Sequence, residues 1–347
     1  MVEQPRTSAD EIGLEMTIFL TGATGFVGSA VLRQLLKKSL DVRALARPGG
    51  DRRNIAGLAC EVVEGDLTDT SSYKHSLIGC TAVFHVAADY RLWAPDSAAM
   101  DRVNIDATRD LFRLATDNGA ERIVYTSSVA TLGINRDNTP ADEETPSTYH
   151  QMIGTYKRSK YLAEEEVRRL VSDEGIPAVI VNPSAPIGPR DLKPTPTGRI
   201  IVDAANGKIP AYVDTGLNFV HVEDVAQGHL DAFEKGKVGE RYILGGQNMT
   251  LIEMLTSICD QVGRKPPVIK IPHRLLLPVA HIAETISVFT GKWEPFVTVD
   301  SVKMASKKMY FSSQKAETVL GYKSRPAKTA VIDAVEWYRE NGYLKHF

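Results

Sequence analysis

Tyr156 and Lys160 are the two residues whose types and spacing most directly suggest chemistry. Side chains four residues apart on a helix share one face. A phenol has a reference pKa of about 10, and a nearby ammonium stabilises the phenolate and lowers that pKa. Tyr156 is the only tyrosine followed at the fourth position by Lys or Arg. We therefore predict that Tyr156 donates and accepts a proton and that Lys160 acidifies it.

A hydroxyl that polarises the substrate oxygen should lie near this pair. The run Thr126-Ser127-Ser128 follows a short apolar stretch, and we predict Ser128 for this role, with Thr126 and Ser127 as alternatives that better suit turn or packing positions. A serine nucleophile is not expected, because no Gly-x-Ser-x-Gly turn surrounds it. The histidines are scattered and have no metal-ligand spacing, so no metal site is predicted.

A glycine-rich segment, Thr21 to Gly28, joins the first apolar run to a helical pattern. Gly22 permits a tight turn, Gly25 lets backbone approach a pyrophosphate, and Gly28 lets the helix pack closely against the strand. The helix N-terminus then offers free amides and a partial positive charge to the phosphates. Glycines at this strand-to-helix junction predict a dinucleotide site.

The end of the second strand indicates which nicotinamide dinucleotide is bound. The free ribose 2′-hydroxyl of NAD usually meets a carboxylate there, whereas the 2′-phosphate of NADP requires cations. Here the strand ends at Ala46-Arg47, followed by Arg52 and Arg53, and no acidic residue occupies its tip. We predict NADP, bound through Arg47, with NAD as the alternative. Asp66 is the candidate for the adenine amino group, and a lysine such as Lys160 can also hold the nicotinamide ribose.

These residues need a scaffold in which several strand ends meet. Short apolar runs alternate with helical patterns through the first half of the chain. We predict strands at 17–21, 42–46, 61–64, 82–86, 122–126 and 178–181, and helices at 26–38, 100–118 and 155–171. Strands buried on both faces that alternate with helices predict an α/β fold with a doubly wound parallel sheet, the Rossmann arrangement, whose ligands bind at the carboxyl ends of the strands.

The pattern changes after residue 182. The proline-rich stretch 183–198 is predicted to be irregular, and helices are predicted at 251–262, 275–289, 314–320 and 329–341. We expect a flexible leader at 1–15, a dinucleotide-binding domain at 16–185 plus about 217–246, and a smaller C-terminal substrate-binding domain at 186–216 plus 247–347.

The most lipophilic stretch, 275–289, is shorter than the roughly 20 residues that span a bilayer. We predict an amphipathic helix packed on the core. The alternative is a surface that covers an apolar substrate or touches a membrane.

The bulk composition narrows the partners and the compartment. A net charge of -2 over 347 residues gives no reason to expect nucleic acid as a partner. Residues 1–16 are polar and do not form a signal peptide. Cys60, Cys80 and Cys259 are odd in number and far apart, which predicts reduced, mostly buried thiols in a cytoplasmic protein. The expected partner is a small-molecule substrate, without stable membrane insertion.

Together these motifs resemble those of the extended short-chain dehydrogenase/reductases over nearly the whole chain. The matching segments are Thr21–Gly28, Asp66-Leu67, His85-Val-Ala87-Ala88, Asn104, Thr126-Ser127-Ser128, Tyr156 with Lys160, Asn182-Pro183-Ser184 and Phe219–Ala226. The resemblance implies a seven-stranded sheet and hydride transfer at a carbinol or carbonyl carbon. It also implies a cofactor site formed by Gly22, Thr24, Gly25, Phe26, Val27, Arg47, Asp66, Leu67, Ala87, Ala88, Tyr156, Lys160, Pro183 and Ser184.

Within that family the sequence is most similar to dihydroflavonol-4-reductase-like proteins and hopanoid-associated sugar epimerases. Nucleotide-sugar epimerases usually have an arginine before the aromatic-Val-His segment, which binds the sugar-nucleotide diphosphate. Here Leu217 and Asn218 precede Phe219, so this clamp is absent. The leading hypothesis is an NADP-dependent reductase of a carbonyl, which also oxidises the alcohol in reverse. The alternatives are a sugar epimerase or dehydratase and a non-enzymatic NADP-binding protein.

The substrate is not identified by the sequence. The predicted lining includes Tyr90 and Trp93, Ser128, Pro186 within a loop at 186–199, and the helix at 275–289. This lining is largely apolar, which favours a lipophilic or aromatic molecule. The family's usual pairing of helices as a four-helix dimer makes a homodimer the arrangement to test.

Overall fold

The computed structural model describes residues 16–91, 97–290 and 298–345, and these residues form thirteen strands. In chain order the strands are β1 Thr17–Thr21, β2 Asp41–Ala46, β3 Glu61–Glu64, β4 Cys80–His85, β5 Arg122–Thr126, β6 Ala178–Pro183, β7 Ala185–Ile187, β8 Ala211–Tyr212, β9 Gly216–His221, β10 Arg241–Leu244, β11 Gln247–Thr250, β12 Ile269–Lys270 and β13 Lys308–Met309. The predicted leader and Trp93 lie outside the described residues.

Among the described residues the α-helices are α1 Phe26–Lys37, α2 Ser97–Asp101, α3 Ala107–Asp117, α4 Gly154–Glu174, α5 Pro196–Ala205, α6 Val222–Lys235, α7 Leu251–Gln261, α8 His273–Thr290, α9 Val299–Ala305, α10 Gln314–Leu320 and α11 Ala327–Glu340. Each of the seven predicted helices has a counterpart among the α-helices, with small differences at the ends, whereas α5, α6 and α9 were not predicted. A π-helical turn, Arg102–Asp106, joins α2 to α3, so the predicted helix at 100–118 begins earlier and contains a wider turn.

Seven parallel strands form the main sheet, in the order β10-β6-β5-β4-β1-β2-β3. The chain runs from β1 outward to β3, then crosses to β4 and continues the other way. The order therefore reverses between β1 and β4, and ligands of doubly wound sheets bind at the carboxyl ends of the strands at that point. The predicted fold class is confirmed.

Two apolar clusters, one on each face of this sheet, explain why its strands lack an alternating polar pattern. One cluster includes Leu20 and Phe84 with α1 and α6, and the other includes Phe19 and Tyr125 with α3 and α4. Strands covered on both faces must be apolar on both. This burial makes the strand signal strong in the sequence.

A second, four-stranded sheet forms around β9, which pairs with β7, β11 and β13. Its apolar cluster includes residues of α5, α7 and α11. The predicted boundary at about 217 falls inside β9. After it, helix α6 packs on one face of the main sheet, and β10 is an edge strand of that sheet. The division of the chain into two domains stays a prediction.

The prediction that 183–198 is irregular is wrong at both ends of the stretch. Residues 185–187 form β7, an edge strand that pairs only with β9 among the described residues, and an edge tolerates Pro186 because the missing amide faces no partner. Pro196 begins α5, where Thr195 caps the helix through its side chain. Proline suits the first helical position, because the amide there has no helical partner.

The lipophilic stretch forms a helix, α8, as predicted, but it packs against α9 in a small separate apolar cluster and not on the main core. Ala280 packs with Val299 and Val302 of α9, whereas Leu275, Val279 and Ile282 are exposed. In the described part of the chain, no helix is both long and apolar enough to cross a membrane. The three cysteines are free thiols, of which two are buried and Cys60 is half-buried, as the sequence predicted.

Candidate functional site

The glycine-rich loop lies where β1 gives way to α1. Gly22 has a φ of +77°, and a Cβ at this position would lie 2.6 Å from the backbone nitrogen of Ala87, which follows β4. A Cβ on Gly28 would lie 2.0 Å from the carbonyl oxygen of Gly22. Both positions therefore require glycine, because the loop touches α1 on one side and the chain after β4 on the other.

The residues around this loop fit a bound dinucleotide. The first turn of α1 has no side-chain cap and no acidic residue, so its amides and partial positive charge are free for phosphate. Gly25 is exposed, and within the protein a Cβ there would meet only the Gly22 oxygen, at 3.2 Å. The hydroxyl of Ser184 is buried without a partner among the described residues. A nucleotide's phosphates and amide would supply the missing partners.

A buried asparagine that the sequence analysis missed holds the loop in place. The Nδ2 of Asn54 donates to the carbonyl oxygens of Thr24 (3.2 Å) and Arg190 (3.1 Å). Arg33 donates in turn to the carbonyl of Asn54 (2.8 Å). Asn54 lies in a polar stretch after β2, where no pattern in the sequence distinguishes it. It ties the glycine loop to the segment that leads to α5.

The arginines after β2 differ in whether they already form an ion pair with a carboxylate. Arg52 forms an ion pair with Glu64 and Arg53 with Asp51, whereas Arg47 is exposed and pairs with no carboxylate among the described residues. Hydrogen bonds from Thr68 lower the pKa of Asp66, and the charge of Arg47 adds to this effect. Arg47 and Asp66 therefore lie near one another at the ends of β2 and β3, as a shared nucleotide site requires. Leu67 is buried beside Asp66.

A chain of buried hydrogen bonds fixes the end of β4. The His85 ring bonds Thr21 Oγ1 through Nδ1 (2.7 Å) and Thr108 Oγ1 through Nε2 (2.9 Å). Burial lowers the pKa of His85 to about 3, with a smaller effect from Lys160, so the imidazole is neutral. Thr21 Oγ1 also accepts from the amide of Ala87 (3.2 Å). His85 is a positioning residue that sets Ala87 and Ala88 beside the glycine loop.

Asn104, in the π-helical turn, likewise holds the segment after β4 in place through hydrogen bonds of its side chain. Its side chain accepts from the Asp89 amide (2.7 Å), donates to the Asp89 carbonyl (3.0 Å), and donates to Ser159 Oγ on α4 (3.0 Å). The wider π turn places this buried amide between two elements. It therefore couples the segment after β4 to the helix that carries Tyr156.

The proposed proton donor meets the proposed polarising hydroxyl. Ser128 follows β5, and its hydroxyl accepts from the Ala130 amide (3.1 Å) and lies close enough to Tyr156 to affect the pKa of the phenol. Burial raises the pKa of Tyr156, and the neighbouring Ser128 hydroxyl partly offsets this rise. Both hydroxyls therefore lie at the same carboxyl edge of the sheet.

Lys160 is held differently from the sequence-based expectation. Its Nζ donates to Tyr125 Oη (3.2 Å) and to the Thr126 carbonyl (2.9 Å), and it is 2% exposed. Burial lowers the pKa of Lys160 to about 8. In the protein the Lys160 ammonium therefore meets the hydroxyl of Tyr125 and the backbone of Thr126, and its acidification of Tyr156 stays a prediction.

A buried carboxylate, Glu164, is the centre of a hydrogen-bond network next to the site. It accepts from Ser127, from Thr131 (2.8 Å) and from Asn182 Nδ2 (2.8 Å), and it pairs with Arg241 at 2.9 Å. Asn182 also donates to the Ser128 carbonyl (3.0 Å), which links β6 to the loop after β5. The buried charge is stabilised by these partners. Sequence analysis missed Glu164, although it lies one helical turn after Lys160.

The two alternatives to Ser128 have structural partners. Ser127 is bound to Glu164, and Thr126 Oγ1 bonds Nε2 of the buried His229 (2.9 Å). Burial lowers the pKa of His229 to about 4, so its ring is neutral. Thr126 and Ser127 therefore serve packing, which leaves Ser128 as the hydroxyl that is available next to Tyr156.

The predicted substrate residues are not all brought together. Tyr90 is 49% exposed. Partial burial of its phenol raises its pKa, and the charge of Asp191 adds to this effect. Tyr90 therefore lies near Asp191, in the segment before α5. Pro186 lies in β7, and its carbonyl accepts from Thr197 (3.2 Å). Trp93 lies outside the described residues.

A cavity of about 510 Å³, which the sequence did not predict, lies near the segments that carry the predicted catalytic residues, although neither Ser128 nor Tyr156 lines it. Its walls come from the loop after Ser128, the residues that lead into α4, and the end of α9 through β13. The wall includes Ala130, two residues after Ser128, and Lys157, which follows Tyr156. Further basic residues in the wall are Arg136, Lys307 and Lys308.

The fold and the site define a dinucleotide-binding enzyme of the short-chain dehydrogenase type. The model of the NAD dependent epimerase/dehydratase family matches residues 18–245. The chain therefore belongs to this family of extended short-chain dehydrogenase/reductases and is an NAD(P)-dependent enzyme.

Three similar proteins cover nearly the whole chain. A protein of Synechocystis sp., provisionally named dihydroflavonol 4-reductase, is 42% identical over 96% of this chain and 98% of its own length. Sterol demethylase protein B of Methylococcus capsulatus is 33% identical over 95% of this chain and 100% of its own. The crystal structure of gox2253 is 51% identical, with a TM-score of 0.86 over 95% of this chain and 100% of that chain. The main interpretation, a dihydroflavonol-4-reductase-like oxidoreductase, agrees with these findings.

Proposed function

We propose that this protein is an NADP-dependent reductase that converts a ketone or aldehyde to an alcohol, and the alcohol back in reverse. The observation that carries the proposal is that Ser128, after β5, lies beside Tyr156 of α4 at the carboxyl edge of the sheet, whose first strand leads into a loop that fits a dinucleotide. The reductase name of the Synechocystis relative supports the same direction of reaction.

The cofactor supplies the hydride when it is bound. Gly22, Gly25 and the first turn of α1 would hold its phosphates, and Ser184 would give its unpartnered hydroxyl. Arg47 would bind the 2′-phosphate, because its guanidinium has no carboxylate partner among the described residues and can donate a fork of hydrogen bonds.

The protein's own residues would manage the proton and the substrate oxygen. Ser128 would donate a hydrogen bond to the carbonyl oxygen and so polarise it. Tyr156 would deliver a proton to the same oxygen as the alcohol forms. Lys160, fixed by Tyr125 and Thr126, would hold the nicotinamide ribose and keep positive charge near the phenol.

Two measurements test the reductase. Purified protein incubated with NADPH and a panel of carbonyl compounds should consume the reduced cofactor steadily as alcohol accumulates. Tyr156→Phe should abolish this turnover and leave the Kd for NADP within a small factor of wild type. Equal loss of turnover and of NADP binding would mean that Tyr156 is only structural.

The second candidate is an epimerase or dehydratase of a sugar-like substrate, which the family description favours. Such an enzyme forms product without net consumption of the cofactor, so the same incubation separates the two. Against it stands Leu217 at the position of the diphosphate-binding arginine, with the neighbouring Asn218 side chain already bound to the Gly246 and Phe311 carbonyls. A third candidate, an NADP-binding protein without activity, would require a cellular role that survives Tyr156→Phe but not Gly25→Trp.

The proposal also covers the compartment, the oligomeric state and the kind of substrate of the enzyme. We place it in the cytoplasm, with free thiols, and expect a homodimer through the helices at 97–117 and 154–174. The sterol-related name of the Methylococcus relative favours a substrate with a lipophilic body. Light scattering after size exclusion would test the dimer.

A further inference from the structure

The segment that contains β12 and the first half of α8 concentrates the exposed apolar side chains of the protein. Thirteen large apolar side chains are exposed among the described residues, and five of them lie between residues 268 and 282. These five, with exposed fractions from 43% to 86%, are Val268, Ile269, Leu275, Val279 and Ile282. Single exposed apolar residues are ordinary on a protein surface, whereas a concentration of them indicates a binding surface.

Helix α8 carries three of these residues on one face. Leu275, Val279 and Ile282 are spaced by four and three residues, so their side chains lie on the same side of the helix. The other side of α8 packs inside the protein, where Ala280 and Ala283 are buried. The helix is therefore apolar on its outer as well as its inner side. Packing on α9 requires only the inner side, so the outer apolar face needs a further cover.

The charged residues of the same segment are all basic. From residue 264 to residue 283 the chain contains four Lys or Arg residues and no Asp or Glu, in a protein of net charge -2. All four are exposed: Arg264, Lys265, Lys270 and Arg274. Lys270 pairs with Asp214 at 2.7 Å, whereas Lys265 and Arg274 form no ion pair with another described residue. Glu284, the next acidic residue along the chain, accepts instead from the backbone amide at the start of α9 (2.8 Å). The exposed apolar residues are thus accompanied by positive charge.

We propose that the exposed side chains of residues 264–282, called here the docking surface, bind the surface of an anionic lipid bilayer. Apolar side chains beside cations are the combination with which interfacial helices bind, because the apolar groups enter the acyl boundary and the cations meet anionic headgroups. A second copy of this chain fits less well. In a two-fold contact each surface meets its own copy, so the cations would face one another.

The inner side of the docking helix is connected to the predicted catalytic helix through α9. His273, at the start of α8, hydrogen-bonds the Ala305 carbonyl at the end of α9 (2.8 Å). Asp300 of α9 lies against Gly154, the first residue of α4, because a Cβ at Gly154 would lie 3.3 Å from its Oδ2. If the proposed reductase function holds, a lipophilic substrate would have a short path from the bilayer to Tyr156. The docking itself does not depend on that function.

Sedimentation of the full-length protein with lipid vesicles tests the proposal without cofactor or substrate. Mixed vesicles of phosphatidylcholine and phosphatidylglycerol should bind the protein. Vesicles of phosphatidylcholine alone should bind it several-fold more weakly, and added salt should weaken binding to the mixed vesicles, because the headgroup charge contributes to the affinity.

Substitutions at exposed positions locate the contact. Leu275→Gln combined with Ile282→Gln should weaken binding to mixed vesicles about tenfold or more, because two apolar side chains no longer enter the acyl boundary. Arg274→Gln should weaken it about fivefold. The matched controls are Ile78→Gln and Lys74→Gln, at exposed positions outside the docking surface, where Ile78 is as exposed as Ile282 (59% and 61%). Both controls should bind like wild type.

Several results would overturn the proposal: no binding to mixed vesicles, equal binding to neutral vesicles, or equal weakening by the control variants. Unchanged binding by the double variant, with its fold verified by circular dichroism, would also refute it. If the double variant instead converts a dimer to a monomer in light scattering and wild type binds no vesicles, the surface is an interface between copies. If wild type binds mixed vesicles but reduces no carbonyl, the reductase proposal fails and the docking surface stands.

Discussion

Lys160→Met should stabilise the protein at pH 7 while it removes activity. Lys160 is 2% exposed, and burial lowers its pKa from 10.5 to about 8. Each unit of pKa difference corresponds to about 1.4 kcal/mol, so a charged amine at this position disfavours folding by roughly 3 kcal/mol at pH 7. A methionine of similar length removes this cost.

The substitution also removes two hydrogen bonds, to Tyr125 Oη and to the Thr126 carbonyl. Each contributes about 1 kcal/mol on average. The net gain in the free energy of unfolding is therefore about 1 kcal/mol, which corresponds to a rise of roughly 1–2 °C in Tm for a chain of 347 residues.

The dependence on pH isolates the charge from packing effects. A lysine with a lowered folded-state pKa binds its proton less readily in the folded than in the unfolded chain. The destabilisation is thus complete below pH 8 and fades as the pH rises toward 10.5. The stability difference between Lys160→Met and wild type should shrink by about 1 kcal/mol between pH 7 and pH 9.

Urea unfolding followed by circular dichroism at pH 7 and pH 9 measures this difference. The matched control is Lys303→Met, at an exposed position, which should show no such dependence. Turnover of NADPH should be lost in Lys160→Met alone. A variant that is less stable than wild type by the same amount at both pH values would refute the reasoning, because the ammonium would then be a net stabilising group.

The other predictions concern the cofactor, the loop and the buried network. Arg47→Ala should raise the Kd for NADP about tenfold or more, with little change in the Kd for NAD. The control Arg52→Ala should not show this selective effect, because Arg52 already pairs with Glu64. Equal effects of Arg47→Ala on both cofactors in a fluorescence titration would contradict the prediction. Gly28→Ala should lower Tm because its Cβ would lie 2.0 Å from the Gly22 oxygen, whereas Gly25→Ala, at 3.2 Å, should keep the fold and weaken cofactor binding. An unchanged Tm in Gly28→Ala would rule this out. Glu164→Leu should cost roughly 3–5 kcal/mol of unfolding free energy because it leaves Arg241 unpaired, and the exposed control Glu165→Leu should cost far less; similar values for the two would refute the role of the network.

The sequence determined the main sheet because burial on both faces demands apolar runs, and such runs are visible without any contact information. Predicted strands at 17–21, 61–64 and 122–126 match the observed bounds of β1, β3 and β5. The glycine loop could also be recognised, because Gly22 and Gly28 are required by close approaches that no other residue allows. The tyrosine and lysine stood out because their spacing places them on one face of a helix.

Only the tertiary structure decided which groups these residues meet. The hydrogen bonds of Lys160 to Tyr125 and Thr126 span 35 and 34 residues, so no local spacing predicts them. The same holds for Glu164, whose partner Arg241 lies 77 residues away. The basic cavity is assembled from segments around residues 130, 155 and 307. Charges distant in the sequence interact only after folding has brought them together and excluded water, and that physical condition leaves no pattern in the sequence.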